Sequence, residues 1–297
     1  MPELPEVETV RRGLIKRVVG RKILNFKKKD NKVVQFEPKD IEGQQIKNIE
    51  RRAKILIFEL TDKIMIAHLK MTGQFIWEKC PGEIEFCLRQ SKRMAGGHPD
   101  KAWFEKLPNK HTRAIFHFDD KSVLYFNDIR RFGWLKIPQT SNLKAQSLSE
   151  LDGLGAEPYS KDFNLEYLKK QTKRYPNRKI KQFIMDQSII AGVGNIYSDE
   201  ALFYAGIKPI RMVKNIKNDE WSKIISSVLK ALDIGIKYHG SSSENYVDAE
   251  GKAGRAHLHV KVYRRTGEKC HRAGCSGTIK RIVVGGRSTH YCPECQT

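Results

Sequence analysis

Residues 270–295 read CHRAGCSGTIKRIVVGGRSTHYCPEC, and this segment decides the fold of the C-terminal end of the chain. Two strand-forming stretches meet at Gly285-Gly286, which predicts a β-hairpin between two pairs of cysteines. Two cysteine pairs on such knuckles can hold one tetrahedral Zn²⁺, and four sulfur ligands leave no position for water. The segment therefore predicts a zinc finger with one structural Zn²⁺, with unpaired or redox-active thiols as the alternative. The predicted ligands are Cys270, Cys275, Cys292 and Cys295.

The charge of the whole chain favours a polyanionic partner. Its 297 residues include 55 Lys and Arg against 34 Asp and Glu, a formal net charge of +21. Each phosphate contact by a basic side chain releases counterions, so this excess favours binding to nucleic acid. No apolar run approaches the ~20 residues of a membrane span, and the start has no secretory-signal pattern. We therefore expect an intracellular protein of the cytoplasm or nucleoid that does not enter a membrane.

The first residues, Met1-Pro2-Glu3-Leu4-Pro5-Glu6-Val7-Glu8, offer a nucleophile. Removal of the initiator methionine is usual before a small residue, and it would leave Pro2 with a free secondary amine. An α-amino group with a pKa near ~8 is substantially uncharged at neutral pH. The Glu3 carboxylate beside it could move protons during nucleophilic attack. A flexible chain start without chemistry is the alternative.

The periodicity of apolar residues changes near the middle of the chain, which predicts an α+β multidomain protein. Short alternating runs between residues 18 and 126 predict a mostly antiparallel β-sandwich over residues 1–138. A polar, serine-rich stretch over residues 139–155 is typical of a linker. Helical periodicity follows, so we expect a helical domain over 156–256 and the zinc finger over 257–297. The predicted helices cover residues 164–171, 179–187, 196–204 and 219–238.

Two further features are suited to phosphate contacts. In Ala191-Gly-Val-Gly-Asn-Ile-Tyr197 the glycines permit close backbone approach. Asn195 is predicted to cap the following helix and leave its N–H groups pointing outward. Arg287 follows the glycine turn of the predicted hairpin, where a guanidinium is suited to bind a phosphate. A plain connection between helices and a solvated arginine are the respective alternatives.

Taken together, the motifs of this chain resemble those of the formamidopyrimidine-DNA glycosylase family. The resemblance weakens at residues 80–108, which look like an insertion, and at Cys270-x4-Cys275, where the family usually has C-x2-C. Arg264 stands where the family tends to have glycine. The matching blocks run in the family's order from one end of the chain to the other: PELPEVE (2–8), RAK (52–54), HLKMTG (68–73), NDIRRFG (127–133), GVGNIY (192–197) and GR…CPECQ (286–296).

The resemblance implies a bifunctional DNA glycosylase and AP lyase of base excision repair with a helix-two-turn-helix domain. Its substrates would be 8-oxoguanine and formamidopyrimidines in damaged double-stranded DNA, bound by a monomer. The Pro2 nitrogen would form a Schiff base with the sugar C1′ while Glu3 protonates the sugar. Two eliminations, β and δ, would then nick the strand, with Lys54 and Arg287 as proton donors or phosphate contacts.

Family positions also imply contacts with DNA. The damaged nucleotide must rotate out of the base stack before its sugar can be reached. Met71 and Phe132 match an apolar wedge that fills the vacancy, and Arg130 would pair with the orphaned base. Residues 240–254 occupy the place of a mobile loop that closes over the extruded base. Contacts to the DNA backbone are implied for His111, Lys181, Asn195 and, less directly, Arg178.

Three alternative functions remain at this level. The sister enzyme endonuclease VIII prefers oxidised pyrimidines, but it tends to have glycine after Pro-Glu where this chain has Leu4. A non-catalytic DNA-binding zinc protein would not need Pro2, Glu3, Lys54 and Arg287 together. A nuclease with two divalent metals would need a carboxylate cluster that we do not find in the sequence.

Overall fold

The computed structural model of the chain describes residues 1–79, 94–97, 107–138, 149–240 and 254–297, with only the backbone for 94–97. The chain divides into two compact units, residues 1–152 with 238–257 and residues 153–237 with 258–297. Each unit is described by itself below, and the domain boundaries drawn from the sequence stay predictions. Most of the insertion near 80–108 and of the loop 240–254 lies outside the described residues.

The first unit begins with a helix that sequence analysis did not predict. Helix α1 spans Leu4–Val18, and Glu3 at its N-cap forms a capping box with Glu6. Its buried apolar residues follow a spacing of three and four, so one face packs into the core of the unit. Pro5, Glu6 and Glu8 lie among the first five residues of this helix, so its apolar period is less evident in the sequence than that of the later helices.

Two five-stranded sheets form the rest of the first unit, which confirms the predicted β-sandwich. Their orders are β1-β8-β9-β6-β7 and β2-β10-β5-β4-β3, and the strand pairs are antiparallel apart from β2 with β10. Phe58 and Phe75, one from each sheet, meet in the shared core with ring centroids 5.7 Å apart. The strands are β1 (Ile23–Lys28), β2 (Val34–Gln35), β3 (Ile46–Arg52), β4 (Ile55–Leu60), β5 (Ile64–His68), β6 (Gly73–Glu78), β7 (Met94–Gly97), β8 (Thr112–Phe118), β9 (Val123–Asp128) and β10 (Trp134–Lys136).

The second unit is helical and ends in a hairpin, as predicted. Tyr197 on one helix packs so closely against Gly235 on another that a Cβ at 235 would lie 2.6 Å from the ring. No helix among the described residues is long and apolar enough to cross a membrane. The elements are α2 (Leu165–Arg174), α3 (Ile180–Met185), α4 (Asn195–Ala205), α5 (Asn218–Lys237), β11 (Lys280–Val284) and β12 (Arg287–Tyr291).

The start of α4 differs from the prediction. Asn195 is its first helical residue, and Gly194 occupies the N-cap with an extended backbone and no side chain to donate to. The prediction that Asn195 caps α4 is therefore wrong, because a residue already inside the helix cannot fold back over the first turn in that way.

Candidate active site and DNA interface

Pro2 and Glu3 lie at the N-terminal end of α1. Met1 is half exposed, at 49%, whereas Pro2 and Glu3 are buried. In the capping box the Glu3 carboxylate accepts from the backbone N–H of Glu6, and the Glu6 carboxylate accepts from the backbone N–H of Glu3 at 2.9 Å. The first bond holds the Glu3 side chain and the second holds the Glu3 backbone, next in the chain to Pro2.

Lys54 is buried in the tight turn that joins β3 to β4. The preceding residue, Ala53, has a φ of 52°, in the left-handed region that non-glycine residues seldom adopt. Arg51 Nη1 donates to the Ala53 carbonyl at 2.9 Å and holds this turn. Lys54 is only 4% exposed, so it does not belong to a solvated face.

Glu8 connects α1 to the turn that contains Lys54. Its carboxylate binds Arg11 and Arg12 on the same helix and lies 3.2 Å from Arg51 Nε on β3. Burial raises the pKa of Glu8, but the hydrogen bonds and charges of these arginines outweigh burial and lower it to about 2. Glu8 is therefore ionised near neutral pH and joins the segment after Pro2 to the segment before Lys54.

Met71 lies in the first wedge loop, residues 69–72, which joins β5 to β6. Lys70 has a φ of 49°, and its backbone N–H donates to His68 Nδ1 at 2.9 Å. Burial, with the charges of Lys70 and Lys54, lowers the pKa of His68 to about 3, so a neutral ring accepts this bond. The loop closes at Gly73, where a Cβ would lie 2.5 Å from the Leu69 oxygen. Met71 remains 38% exposed.

Arg130 and Phe132 lie in the second wedge loop, residues 129–133, which joins β9 to β10. The loop turns at Arg131, which has a φ of 56°. Phe132 is 48% exposed, and the Arg130 guanidinium lies 4.7 Å from the centroid of its ring. A large aromatic side chain is thus exposed to solvent and contacts a cationic neighbour.

The structure brings the two wedge loops to one open groove of about 430 Å³. Its apolar surface comes from Met71, Phe132 and Trp134, and three cationic side chains surround this surface. Such a groove suits bases on its apolar part and phosphates at its rim. The lining residues are Lys32, Gln35, Lys70, Met71, Arg131, Phe132, Gly133 and Trp134.

His111 lies beside the second wedge loop, one residue before β8. It is partly exposed, and its carbonyl accepts from the backbone N–H of Asp128 at 2.9 Å. The structure thus brings together His111, Met71, Arg130 and Phe132 in the first unit, through two adjacent strand ends and two loops.

Arg287 belongs to the second unit, where it is the exposed first residue of β12. Gly285 and Gly286 form the preceding turn with φ angles of 56° and 73°, as a two-residue hairpin turn requires. A Cβ at Gly285 would lie 2.4 Å from Gln182 Nε2, so the hairpin tip packs against α3. The turn therefore has a defined position within its unit.

Lys181 lies on α3 and is completely buried. Its ammonium group is 2.6 Å from Asp199 Oδ1 on α4 and donates to Thr289 Oγ1 at 2.8 Å and to the Ser288 carbonyl at 3.1 Å. These internal partners satisfy its charge and give no support to the predicted contact of Lys181 with the DNA backbone, which stays a prediction. Lys181 holds β12, the strand that begins with Arg287.

Asp199 completes this network from α4. Its Oδ2 accepts from the backbone N–H of His290 at 2.9 Å and lies 3.2 Å from His290 Nδ1. The next residue, Glu200, accepts three backbone N–H groups from residues 261–263. Sequence analysis missed both carboxylates, since the only signal was an Asp-Glu pair within an otherwise apolar helix.

Arg178 and Asn195 lie near the glycine-rich connection between α3 and α4. The Arg178 guanidinium binds Asp186 and lies 4.3 Å from the ring centroid of Tyr175, so it remains only partly exposed. Gln187, which sequence analysis missed, shapes the connection by donating to the Val193 carbonyl and accepting from the Gly192 N–H. The Asn195 Oδ1 atom has no hydrogen-bond partner among the described residues, although it is buried.

The four predicted zinc ligands come together in the second unit. One ligand atom from each of the four cysteines lies within 4.8 Å of the other three, and the pairs Cys270–Cys295 and Cys275–Cys292 are 3.7 and 3.6 Å apart. Zn–S bonds of about 2.3 Å in a tetrahedron place neighbouring sulfurs ~3.8 Å apart, so the cluster fits one Zn²⁺. The donors are all thiolates, which supports a structural ion.

The wider first knuckle contains an arginine that contacts a helix end. Arg272 donates from its guanidinium to the Phe203 carbonyl near the C-terminus of α4 and lies 4.8 Å from the Phe203 ring centroid. Its backbone N–H also points to the Cys270 sulfur at 3.4 Å.

Arg264 is the other position in this region where the sequence departs from the family pattern. Its φ of 60° lies in the left-handed region, which glycine adopts most easily.

Family models cover most of the chain. The formamidopyrimidine-DNA glycosylase N-terminal domain matches residues 1–135, the H2TH domain of the same enzyme matches residues 154–247, and a zinc finger found in FPG and IleRS matches residues 267–297. The third match covers the cysteine cluster, so the site is that of one structural zinc ion.

Individual proteins agree with these matches. Formamidopyrimidine-DNA glycosylases of Cytobacillus firmus and Carboxydothermus hydrogenoformans are each 36% identical, and each comparison covers 100% of both chains. A mutant Lactococcus lactis Fpg bound to Fapy-dG containing DNA and MutM bound to carbocyclic 8-oxo-G containing DNA each share 31% identity, a TM-score of 0.79 and full coverage of both chains.

The comparisons and the geometry agree from the first residues to the zinc cluster. This chain belongs to the formamidopyrimidine-DNA glycosylase family, the base excision repair enzymes that join DNA glycosylase to AP lyase activity.

Proposed function

We propose that this chain, once Met1 has been removed, excises oxidised purines from duplex DNA through the Pro2 nitrogen and then cuts the strand. The observation that carries the proposal is the buried Pro2-Glu3 start of α1, where Glu3 is fixed by the capping box with Glu6. Similar proteins have been solved with Fapy-dG and 8-oxo-G containing DNA. We take these two lesions as the substrates of this chain.

The excision step follows from the chemistry of a secondary amine. The lone pair of the Pro2 nitrogen forms a bond to C1′ of the damaged nucleotide, and the glycosidic bond breaks as the base leaves with its electron pair. The proton of the Pro2 nitrogen passes to the departing base, and Glu3 supplies a proton to the sugar ring oxygen, so the bond between C1′ and the ring oxygen breaks, the ring opens and a cationic iminium remains. The enzyme and the sugar are then joined covalently.

Strand cleavage follows from the same intermediate. The iminium acidifies the C2′ hydrogen, and loss of that proton expels the 3′ phosphate by breaking the C3′–O bond. A second elimination breaks the C5′–O bond. Lys54 and Arg287 act in these steps as proton donors or as cations that stabilise the departing phosphates.

DNA is held open by the wedge loops. Met71 and Phe132 enter the space left by the rotated nucleotide, and Arg130 faces the orphaned base. His111, Arg178 and Asn195 contact the DNA backbone, and the buried Lys181 supports the hairpin. The exposure of Met71 and Phe132 supports this assignment, because apolar side chains of this size are usually buried.

We also propose that the protein acts as a monomer in the cytoplasm or nucleoid, where chromosomal DNA lies. The nucleophile, the wedge loops and the zinc hairpin all belong to one polypeptide, so no second copy is needed to complete the set. The domain boundaries at 138, 155 and 256 remain part of this proposal.

Borohydride trapping tests the nucleophile. Trimmed wild type should form a covalent adduct with a duplex that contains 8-oxoguanine, whereas Pro2→Gly should form far less and a chain extended before Pro2 should form none. Proteolytic removal of the same extension should restore the adduct, which controls for misfolding. Efficient strand cleavage by the extended chain would contradict the proposal. A duplex with an oxidised pyrimidine distinguishes the endonuclease VIII type of specificity.

A further inference from the structure

Asp128 lies at the end of β9 with its side chain fully buried beneath both wedge loops. Its Oδ1 accepts from the Thr72 hydroxyl in the first loop and from the Arg130 backbone N–H in the second loop, the latter at 3.2 Å. Its Oδ2 accepts from the backbone N–H of Gly133 at 2.7 Å. One carboxylate therefore contacts the loop of Met71 and both ends of the segment that contains Phe132.

Thr72 and Gly133 make two further close contacts between the parts of the chain around Asp128. The Arg130 N–H also donates to Thr72 Oγ1 at 3.0 Å, so the hydroxyl lies directly between the loops. A Cβ on Gly133 would lie 2.9 Å from Asp128 Oδ2 and 3.0 Å from the His68 oxygen. The second loop can therefore approach the Asp128 carboxylate and the end of β5 this closely only because residue 133 is glycine.

A second carboxylate holds the outer part of the second loop. Asp30 Oδ2 lies 2.6 Å from Arg131 Nε, and the hydrogen bonds from Arg131 and residues 32–33 lower the pKa of Asp30 although its burial raises it. Arg113 connects the Asp30 carboxylate to the backbone at Asp128, because it donates to the Asp128 carbonyl at 2.8 Å and lies 3.7 Å from Asp30 Oδ2. Exposed wedge residues are thus supported by buried charges.

We propose that Asp128 is a positioning residue that holds the two wedge loops as one rigid unit, so that Met71 and Phe132 enter the duplex together when a damaged nucleotide is extruded. The inference rests on the proposed function, since it assigns a role within base extrusion. Asp128 touches neither the sugar nor the base. Its loss slows extrusion from duplex DNA and leaves the chemistry of Pro2 intact on DNA that needs no extrusion.

The experiment compares Asp128→Asn with a matched pair at Thr72. In Asp128→Asn one oxygen becomes an NH₂ group, which cannot accept from Gly133 when the other oxygen faces Thr72 and Arg130. Thr72→Val removes the hydroxyl at constant shape, whereas Thr72→Ser keeps it and serves as the conservative rescue. Asp120→Asn is the control, because Asp120 accepts from Ser122 N and Oγ in the turn at the other end of the β8–β9 hairpin.

Each variant is assayed on two substrates. Single-turnover excision of 8-oxoguanine from duplex DNA should fall by about tenfold to a hundredfold in Asp128→Asn and Thr72→Val, the loss expected when a reacting geometry is misplaced. Borohydride trapping on a single-stranded abasic oligonucleotide should stay at the wild-type level. A 2-aminopurine beside the lesion should show reduced unstacking in the same two variants, while Thr72→Ser and Asp120→Asn resemble wild type.

Every outcome has a defined meaning. Wild-type excision from duplex DNA by both Asp128→Asn and Thr72→Val overturns the inference, as does an equal loss on both substrates in a variant with an unchanged Tm. If Asp128→Asn fails to fold, the Val and Ser variants of Thr72 decide the question. If trimmed wild type forms no adduct on either substrate, the proposed function fails, and that result is distinct from failure of the inference.

Discussion

Glu8 Oε2 lies 3.2 Å from Arg51 Nε, and this ion pair joins the helix after Pro2 to the turn before Lys54. Arg51 continues the connection, since its Nη1 donates to the carbonyl of left-handed Ala53. The Glu8 carboxylate, to which we assign no chemical step, therefore connects the segment that contains Pro2 to the turn that contains Lys54.

Replacing this carboxylate should misplace Lys54 without removing it. In Glu8→Gln we expect strand cleavage after base excision to fall by about tenfold, since small misplacements of reacting groups are costly. Single-turnover gels that separate the trapped adduct from the cleaved product measure the two steps. Glu50→Gln on the exposed side of β3 is the matched control. Unchanged cleavage in Glu8→Gln would show that the turn containing Lys54 keeps its conformation without the Glu8 carboxylate.

Glu8 should also make the protein sensitive to acid. Its pKa is lowered from 4.5 to about 2 in the folded chain, so its contribution to stability is present above pH 4.5 and is lost as pH falls toward 2. The difference in urea midpoint between wild type and Glu8→Gln should therefore be largest near pH 7 and shrink between pH 4.5 and 2. A difference independent of pH would contradict this assignment.

Lys181 is expected to act on stability rather than on DNA affinity. Lys181→Met leaves Asp199 buried without its cation, which costs about 3–5 kcal/mol in comparable buried pairs. The double variant Lys181→Met/Asp199→Leu should recover part of the urea midpoint. At temperatures where the single variant is folded, log Kd against log salt should keep its slope, whereas loss of a phosphate contact lowers the slope by ~1. A stable variant with the lower slope would restore Lys181 to the DNA interface.

Zinc removal should separate DNA binding from the fold of the first unit. The finger has a small core that includes Ile279 and two of its own cysteines, so the metal supplies much of its folding free energy. After chelation, hydrogen exchange should rise across residues 258–297 and stay unchanged in the strands of the sandwich, while duplex affinity measured by anisotropy is lost. Added Zn²⁺ should restore binding. Full affinity in protein shown by metal analysis to lack zinc would contradict the role of the hairpin.

Sequence alone predicted the elements whose signals are local. The strands around residues 55–68 and 112–128 are short runs rich in apolar residues and bounded by turns, the later helices have a helical period, and the cysteine spacing defines the finger. Helix α1 was missed because Glu3 and Glu6, which form its capping box, were interpreted as part of a reactive chain start. The start of α4 was predicted one residue too late, at Asn195 as the cap, since the actual cap, Gly194, has no side chain by which it could be recognised.

The candidate site residues could be identified from the sequence, but the buried residues that hold them in position could not. Met71 and Phe132 follow from motif positions, yet their loops depend on contacts between Asp128 and Thr72, which are 56 residues apart in sequence. For Lys181, the sequence position indicates a DNA contact and gives no sign that the side chain is buried. A lysine near a phosphate-binding motif resembles a DNA contact in sequence, and only the fold shows that Asp199 and Thr289 enclose it.

The longer first knuckle has a consequence for exchanging modules between relatives. Arg272 lies among the four residues between Cys270 and Cys275, and it attaches the finger to the Phe203 carbonyl at the end of α4. A finger transplanted from a homologue without an arginine at this place would bring its cysteines but not this contact. Chimeras should therefore take the finger and the preceding helix from the same parent, because the two have been fitted to each other.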